Sequence, residues 1–199
     1  LLDGDGKIVK AEGKEVMART TLKLDKEKTA EVVQNLLVSH PKLWDLDFPY
    51  RYTVETIIKK GGKTIDKYLT PFGIRSVKFD KDKGFFLNNK HLKLKGMCLH
   101  QDAGCLGTAV PDRAYERRLL ILKEFGTNAI RCSHNPPSPE FLNYCDSIGF
   151  LVIDEAFDKW KSGYYEEFFD SSWQQDISDM VIRDRNHPSV IMWETILNE

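Results

Sequence analysis

The stretch NAIRCSHNPPSPEFLNYCDSIGFLVIDE, Asn128 to Glu155, decides the fold. NAIRCS reads as a short buried strand. SPEFLNYCDSIG carries helix punctuation at both ends: Ser138 as the N-cap, Pro139 at the first helical position and Gly149 as the stop. FLVIDEA then runs apolar without alternation and ends in two carboxylates, the pattern of a strand covered on both faces in a parallel sheet. Strand, helix and strand in this order make a βαβ unit.

The same pattern extends to both sides. Toward the C-terminus, Ser171 to Arg185 is amphipathic, with Trp173, Ile177, Met180 and Val181 on one stripe, and PSVIMW is a further buried strand. Toward the N-terminus, DRAYERRLLILKEFG (Asp112 to Gly126) reads as a helix with Leu119, Leu122 and Phe125 on one face, Asp112 as its cap and Gly126 as its end. GFFLNNKHLKLKGM has the form of a hairpin turning on Asn88-Asn89. Four strands separated by three helical stretches result. Polar residues gather at the strand C-terminal ends: His100-Gln101-Asp102, Arg131-Cys132-Ser133-His134, Asp154-Glu155 and Asn198-Glu199. In a (β/α)8 barrel that is the face where chemistry sits. An open doubly wound sheet also binds ligands at strand ends, but usually with a glycine-rich phosphate loop, and neither G-x-G-x-x-G nor a P-loop occurs here.

Before residue 80 the texture differs. EVMARTTLKL (Glu15 to Leu24), AEVVQNLLVS (Ala30 to Ser39), YRYTVETIIKK (Tyr50 to Lys60) and GIRSVKFD (Gly73 to Asp80) read as strands rich in Thr, Val, Ile and Tyr. DGDGK, KGGK, Pro41, Pro49 and Pro71 punctuate them. The expected organisation is a β-sandwich over residues 1–80, incomplete at its start, followed by half of a barrel over residues 81–199.

Composition bounds the partners. The 199 residues carry 29 Lys and Arg against 30 Asp and Glu, a net charge of −1, which gives no electrostatic footprint for nucleic acid or an anionic membrane. No apolar run reaches the roughly 18 residues that a bilayer span needs. The four cysteines, Cys98, Cys105, Cys132 and Cys145, include no C-x-x-C pair, so free buried thiols are expected rather than zinc or redox chemistry. Leu1 to Gly6 lacks the basic and apolar regions of a signal peptide and reads as the middle of a domain. Localisation is therefore left open between periplasm, exterior and cytoplasm.

Two of these stretches carry more than fold. DRNHPSVIMWETILNE (Asp184 to Glu199) and the Asn128 to Glu155 segment resemble the two signatures of glycoside hydrolase family 2, which includes β-galactosidases, β-glucuronidases and β-mannosidases. PKLWDLDFPYRYTVET resembles the end of that family's immunoglobulin-like domain. FGIRSVKFDKDKGFFLNNKHLKLKGMCLHQD resembles its junction from sandwich to barrel. The resemblance implies an immunoglobulin-like sandwich followed by the first half of a TIM barrel. It implies a retaining exo-β-glycosidase acting on terminal β-galactosides, with β-glucuronides or β-mannosides as alternatives. By implication the chain is a fragment, inactive alone, without the jelly-roll domain and without the barrel half that carries the nucleophile. A non-catalytic binding or assembly fragment is the competing class.

The roles follow residue by residue from the resemblance. Glu199 is the expected acid/base and Asn198 the residue that binds the sugar 2-hydroxyl. His100 and His134 match sugar-contacting histidines, and Arg131 matches an arginine that braces the carboxylates or pairs beneath the site. Read without the resemblance, a terminal Asn-Glu is a solvated pair and a single histidine is an ordinary polar residue. Adjacent residues on a strand face opposite ways, so Asp154 and Glu155 cannot form a catalytic pair. One is expected to face Arg131 and the other to be structural. Lys159 and Lys161 stand where some family members place magnesium ligands, so neither a metal nor any cofactor is expected. Trp160, Tyr164, Tyr165 and Trp193 are candidates for stacking on sugar C–H faces. The family usually has Ser or Gly after the tryptophan; here it is Glu194. The expected partner is a carbohydrate substrate; a homo-oligomer is compatible with the sequence.

Overall fold

The computed structural model describes residues 1–159, 162–163 and 165–195. The chain divides into two compact units, Leu1–Lys42 with Arg51–Phe72, and Leu43–Tyr50 with Gly73–Glu199.

The first unit is built from tight hairpins. Strands β1 (Lys10–Ala11) and β2 (Lys14–Glu15) pair across Glu12-Gly13, and β3 (Tyr52–Lys60) and β4 (Lys63–Phe72) pair antiparallel across Gly61-Gly62. Both loop residues have positive φ in each case, as a two-residue turn with the strands' own twist requires. The predicted strands over Glu15–Leu24 and Ala30–Ser39 do not form: beyond Glu15 the backbone there joins no ladder among the described residues. Val33 and Leu37 lie exposed. Residue type supplies the preference for a pleated surface, but a strand exists only where a neighbouring strand accepts its hydrogen bonds.

In the second unit, β5 (Val77–Asp80), β6 (Gly84–Leu87) and β7 (Lys90–His91) form an antiparallel sheet. Asn88 and Asn89, both at positive φ, make the expected turn between β6 and β7. A boundary near residue 80 therefore does not hold for β5: it pairs with β6 and belongs to the second unit. Strands β8 (Gly96–Leu99), β9 (Ala129–Cys132), β10 (Leu151–Glu155) and β11 (Val190–Glu194) are parallel and lie side by side in chain order. Helices α1 (Asp112–Glu124), α2 (Pro139–Ile148) and α3 (Glu166–Asp184) connect them. A sheet that advances one strand at a time in one direction carries its right-handed crossovers on one face.

Ser138 caps α2 by accepting from the Phe141 N–H at 3.3 Å, Pro139 opens the helix and Gly149 closes it at φ 85°. The expected cap of α1 shifts by one: Pro111 is the N-cap and Asp112 the first helical residue, where its charge still complements the helix dipole. Leu119 is buried, but Phe125 is 84% exposed. Each three-residue step lags the helix repeat by about 60°, so two steps from Leu119 carry Phe125 off the face.

The helix side of the sheet is packed by Tyr115, Leu119, Phe141, Leu142 and Cys145 against Ile130, Cys132, Val152 and Val190. On the opposite face, at the strand N-terminal ends, Trp44, Phe85 and Leu87 close over Ala129, Leu151 and Ile191. Cys132 and Cys145 are buried free thiols as expected; Cys98 and Cys105 are free but exposed, a departure from the expectation.

Candidate active site

The C-terminal ends of β9, β10 and β11 bring one guanidinium and two carboxylates together. Register places Cys98, Arg131, Ile153 and Met192 in one row across the sheet, and Glu155 opposite Glu194 two residues further along. Their side chains share the helix-free face. Arg131 Nε lies 2.8 Å from Glu155 Oε2 in an ion pair and donates to Glu194 Oε2 at 3.0 Å. Arg131 Nη2 donates to Glu155 Oε1 at 3.0 Å and to Glu194 Oε1 at 3.4 Å. His134 Nδ1 sits 2.7 Å from Glu155 Oε1. An ionised carboxylate only accepts, so Nδ1 carries the hydrogen and Nε2 is the ring's remaining polar atom. The His100 and His134 rings meet edge to face at 5.4 Å.

Burial grades across this cluster. The Glu155 side chain is 0% exposed, Arg131 23% and Glu194 32%. The hydrogen bond to Glu194, and then the Glu155 charge, raise the Arg131 guanidinium above its ordinary pKa, against burial. The arrangement is a buried carboxylate held by an arginine and a histidine, with a second carboxylate at the accessible rim. It offers a cation-braced acceptor and imidazole donors at a strand-end surface.

Of the residues expected at the site, Arg131, His134 and His100 come together here. Glu199, Asn198, Lys161, Trp160 and Tyr164 lie outside the described residues. Trp193 stands in register with Asp154, on the opposite face from Glu155 and Glu194. Tyr165 packs on Phe157 and Phe169 and its hydroxyl bonds Asp176, so its ring serves the packing of α3 and lines a cavity of about 750 Å³ between α3 and the segment after β10. Lys159 is exposed. Among the described residues no cluster of three or more metal-ligating side chains occurs.

Comparison with known proteins reaches nearly the whole chain. Residues 77–199 match the sequence model of the TIM barrel domain of glycosyl hydrolases family 2, and residues 3–75 match a further model of the same family. The chain belongs to glycosyl hydrolase family 2. A β-galactosidase of Bacteroides ovatus is 50% identical over 189 residues, 92% of this chain and 22% of that protein. A putative β-glucuronidase of Formosa agariphila is 42% identical over 173 residues, 85% of this chain and 17% of that protein. Among solved structures, a family 2 member from Bacteroides cellulosilyticus superposes with a TM-score of 0.90 at 44% identity, covering all of this chain and 25% of its own. This chain thus spans 17–25% of the length of these three relatives.

Membership in family 2 gives the signature residues a place to be read, and several turn out to be structural. His187 Nδ1 lies 2.6 Å from Asp146 Oδ2, and Ser189 gives Asp146 Oδ1 both its N–H at 3.0 Å and its hydroxyl at 2.6 Å. The Asp146 carbonyl accepts from Trp44 Nε1 at 2.8 Å. Arg75 donates to the carbonyls of Pro188 and Val190. The Asn-His-Pro-Ser part of this family 2 signature therefore fastens the start of β11 to α2. The sequence marked these residues by motif alone, because their partners are 41 to 113 residues away.

Proposed function

We propose that this chain is part of a retaining exo-β-glycosidase that hydrolyses terminal β-galactosides by double displacement. In this reading the first unit belongs to an immunoglobulin-like sandwich and the second is the first half of a (β/α)8 barrel. The supporting observation is the Arg131–Glu155–Glu194–His134 cluster at the C-terminal ends of parallel strands laid down in chain order, with His100 beside it. Glu199 then serves as general acid for the leaving oxygen and as general base for the incoming water, and Asn198 holds the sugar 2-hydroxyl. A second carboxylate, about 5–5.5 Å from the first in retaining enzymes, supplies the nucleophile from elsewhere in the protein. Arg131 and His134 hold Glu155 fixed beneath the sugar. The relatives named as β-galactosidases and β-glucuronidases support the β-glycosidase class, and the more similar β-galactosidase favours the neutral sugar.

The test is Glu199→Gln in the full reading frame that carries this chain. General acid–base assistance is worth about 10²–10⁴-fold. Turnover of glycosides with poor leaving groups should fall by that order, while activated aryl glycosides lose much less in their first step. Azide should restore turnover on the activated substrates, since it needs no deprotonation. Equal loss on both substrate types without azide rescue removes Glu199 from the role. Failure of the unaltered protein to hydrolyse any glycoside would leave the binding or assembly fragment as the better account.

A further inference from the structure

Arg131 stands between two carboxylates and does not serve them equally. Its Nε lies 2.8 Å from Glu155 Oε2, yet the Nε–H is donated to Glu194 Oε2 at 3.0 Å. Glu155 Oε2 is left buried and, among the described residues, without a hydrogen bond. The other oxygen, Glu155 Oε1, accepts from Arg131 Nη2 at 3.0 Å and faces His134 Nδ1 at 2.7 Å. An arginine and a single carboxylate favour two parallel N–H···O bonds. Arg131 and Glu155 fall one bond short of that pairing, and the bond they lack is the one that Glu194 takes. Glu194 is held by its backbone as well: its carbonyl accepts from the Ala156 N–H at 3.0 Å. This last residue of β11 is thereby tied to Arg131 of β9 and to the residue that follows β10.

We infer that Glu194 is a positioning residue that acts through Arg131: it draws the Nε–H away from Glu155, and so sets how Glu155 and His134 are held at the strand ends. The inference rests on the glycosidase reading above, in which Glu155 is fixed beneath the sugar, and adds a residue to it. A buried acceptor without a partner costs free energy. Once the Glu194 carboxylate is gone, the Nε–H turns to Glu155 Oε2, 2.8 Å away, and Arg131 closes on Glu155 as a paired fork. That turn shifts the carboxylate that His134 Nδ1 bonds, and the imidazole moves with it. The site keeps its residues and loses their alignment.

The test compares the full reading frame with its E194A and E194Q variants, on whichever of an aryl β-galactoside, β-glucuronide and β-mannoside the unaltered protein cleaves fastest. E194A removes the competing acceptor. E194Q keeps the side-chain shape but offers a neutral oxygen, a weaker acceptor than the buried Glu155 carboxylate. Both should lower kcat roughly 10-fold and change KM by less than about 3-fold, the pattern of misaligned groups rather than of a lost sugar contact. Formate, a free carboxylate small enough to stand in the space that E194A opens against Arg131, should restore much of the E194A kcat and leave the unaltered protein unchanged. A merely structural role lowers the folded fraction instead, which active-site titration counts, and formate does not restore it. A kcat per active site within about 2-fold of the unaltered protein in E194Q overturns the inference while the glycosidase reading stands, even where E194A fails to fold. So does a loss in folded E194A that formate leaves untouched. An unaltered protein inactive on all three substrates overturns both.

Discussion

The helix-free face of the parallel sheet has two ends built from opposite chemistry. At the strand N-terminal end, Trp44, Ala129, Leu151 and Ile191 make a closed apolar floor, and Trp44 and Leu151 are fully buried. At the C-terminal end, two to four residues further along the same strands, Arg131, Glu155 and Glu194, with His134 just beyond β9, make a charged cluster open at its rim. The transition occurs within β10, from Leu151 through Ile153 to Glu155. Apolar burial needs no particular geometry and gains free energy with area removed from water. Charged groups cost free energy to desolvate and hold their place only when fully paired. One end is therefore suited to holding the sheet together and the other to holding polar groups in fixed positions. The difference predicts that substitutions at the floor change stability and leave sugar chemistry alone.

The largest stability effect expected from that contrast is Trp44→Ala. The side chain is 0% exposed and its Nε1–H is bonded to the Asp146 carbonyl. Replacement leaves a cavity and an unsatisfied carbonyl, and large aromatic-to-alanine changes in cores cost about 3–5 kcal/mol. Equilibrium urea unfolding followed by circular dichroism should show that loss, while kcat/KM of any glycosidase activity of the full reading frame stays within about 2-fold at temperatures well below the unfolding transition. A cost under about 1 kcal/mol would mean that the floor is not what holds this end of the sheet.

A middle-sized effect is expected where the segment before β3 crosses the end of α2. Gly149 has φ 85°, and a Cβ there would meet the Leu46 carbonyl oxygen at 2.3 Å. Gly149→Ala combines a left-handed backbone penalty of about 1–2 kcal/mol with overpacking of about 1–3 kcal/mol. A loss of about 2–4 kcal/mol by the same unfolding measurement is the expected outcome; a loss below about 0.5 kcal/mol would show that Leu46 moves aside freely.

Gly149 also marks how far the sequence could be read. As a helix stop it was legible, because Ser138, Pro139 and Gly149 act through their own backbone and need no distant partner. The opposite facing of Asp154 and Glu155 was legible for the same reason, since the two-residue period belongs to every strand. The close approach of Leu46 was not, nor was the burial of Trp44, whose hydrogen bond spans 102 residues. The strands expected over Glu15–Leu24 and Ala30–Ser39 failed on the same ground: side-chain type was visible, the pairing partner was not. At the candidate site, Arg131, His134 and His100 were found by motif. Glu194 stood out only as a departure from pattern, and its hydrogen bond to Arg131, 63 residues away, was not legible.

The smallest effect concerns the other face of the same strand end. Asp154 points away from Glu155, toward Asp184, and both are 0% exposed. Arg183 donates to the two Asp184 oxygens at 2.7 and 2.6 Å, whereas neither Asp154 oxygen receives a hydrogen bond. A proton on Asp154 is then the donor that joins the two acids. Burial first, and then the Asp184 carboxylate, push the Asp154 pKa up to about 8, with Arg183 opposing. An unfolded aspartate titrates near about 3.9. Between those values the folded protein binds the extra proton, so stability falls as pH rises. The contribution is fully present below about pH 4, erodes through neutrality and is lost above about pH 8. Asp154→Asn keeps a neutral group there at every pH and should flatten this slope. Near pH 8.5 the variant should be the more stable by about 1–3 kcal/mol, the scale of one buried polar group left without a partner. Near pH 5, where Asp154 is already protonated, the gap should shrink. Parallel pH profiles for the unaltered protein and Asp154→Asn would show that no proton is held on this face.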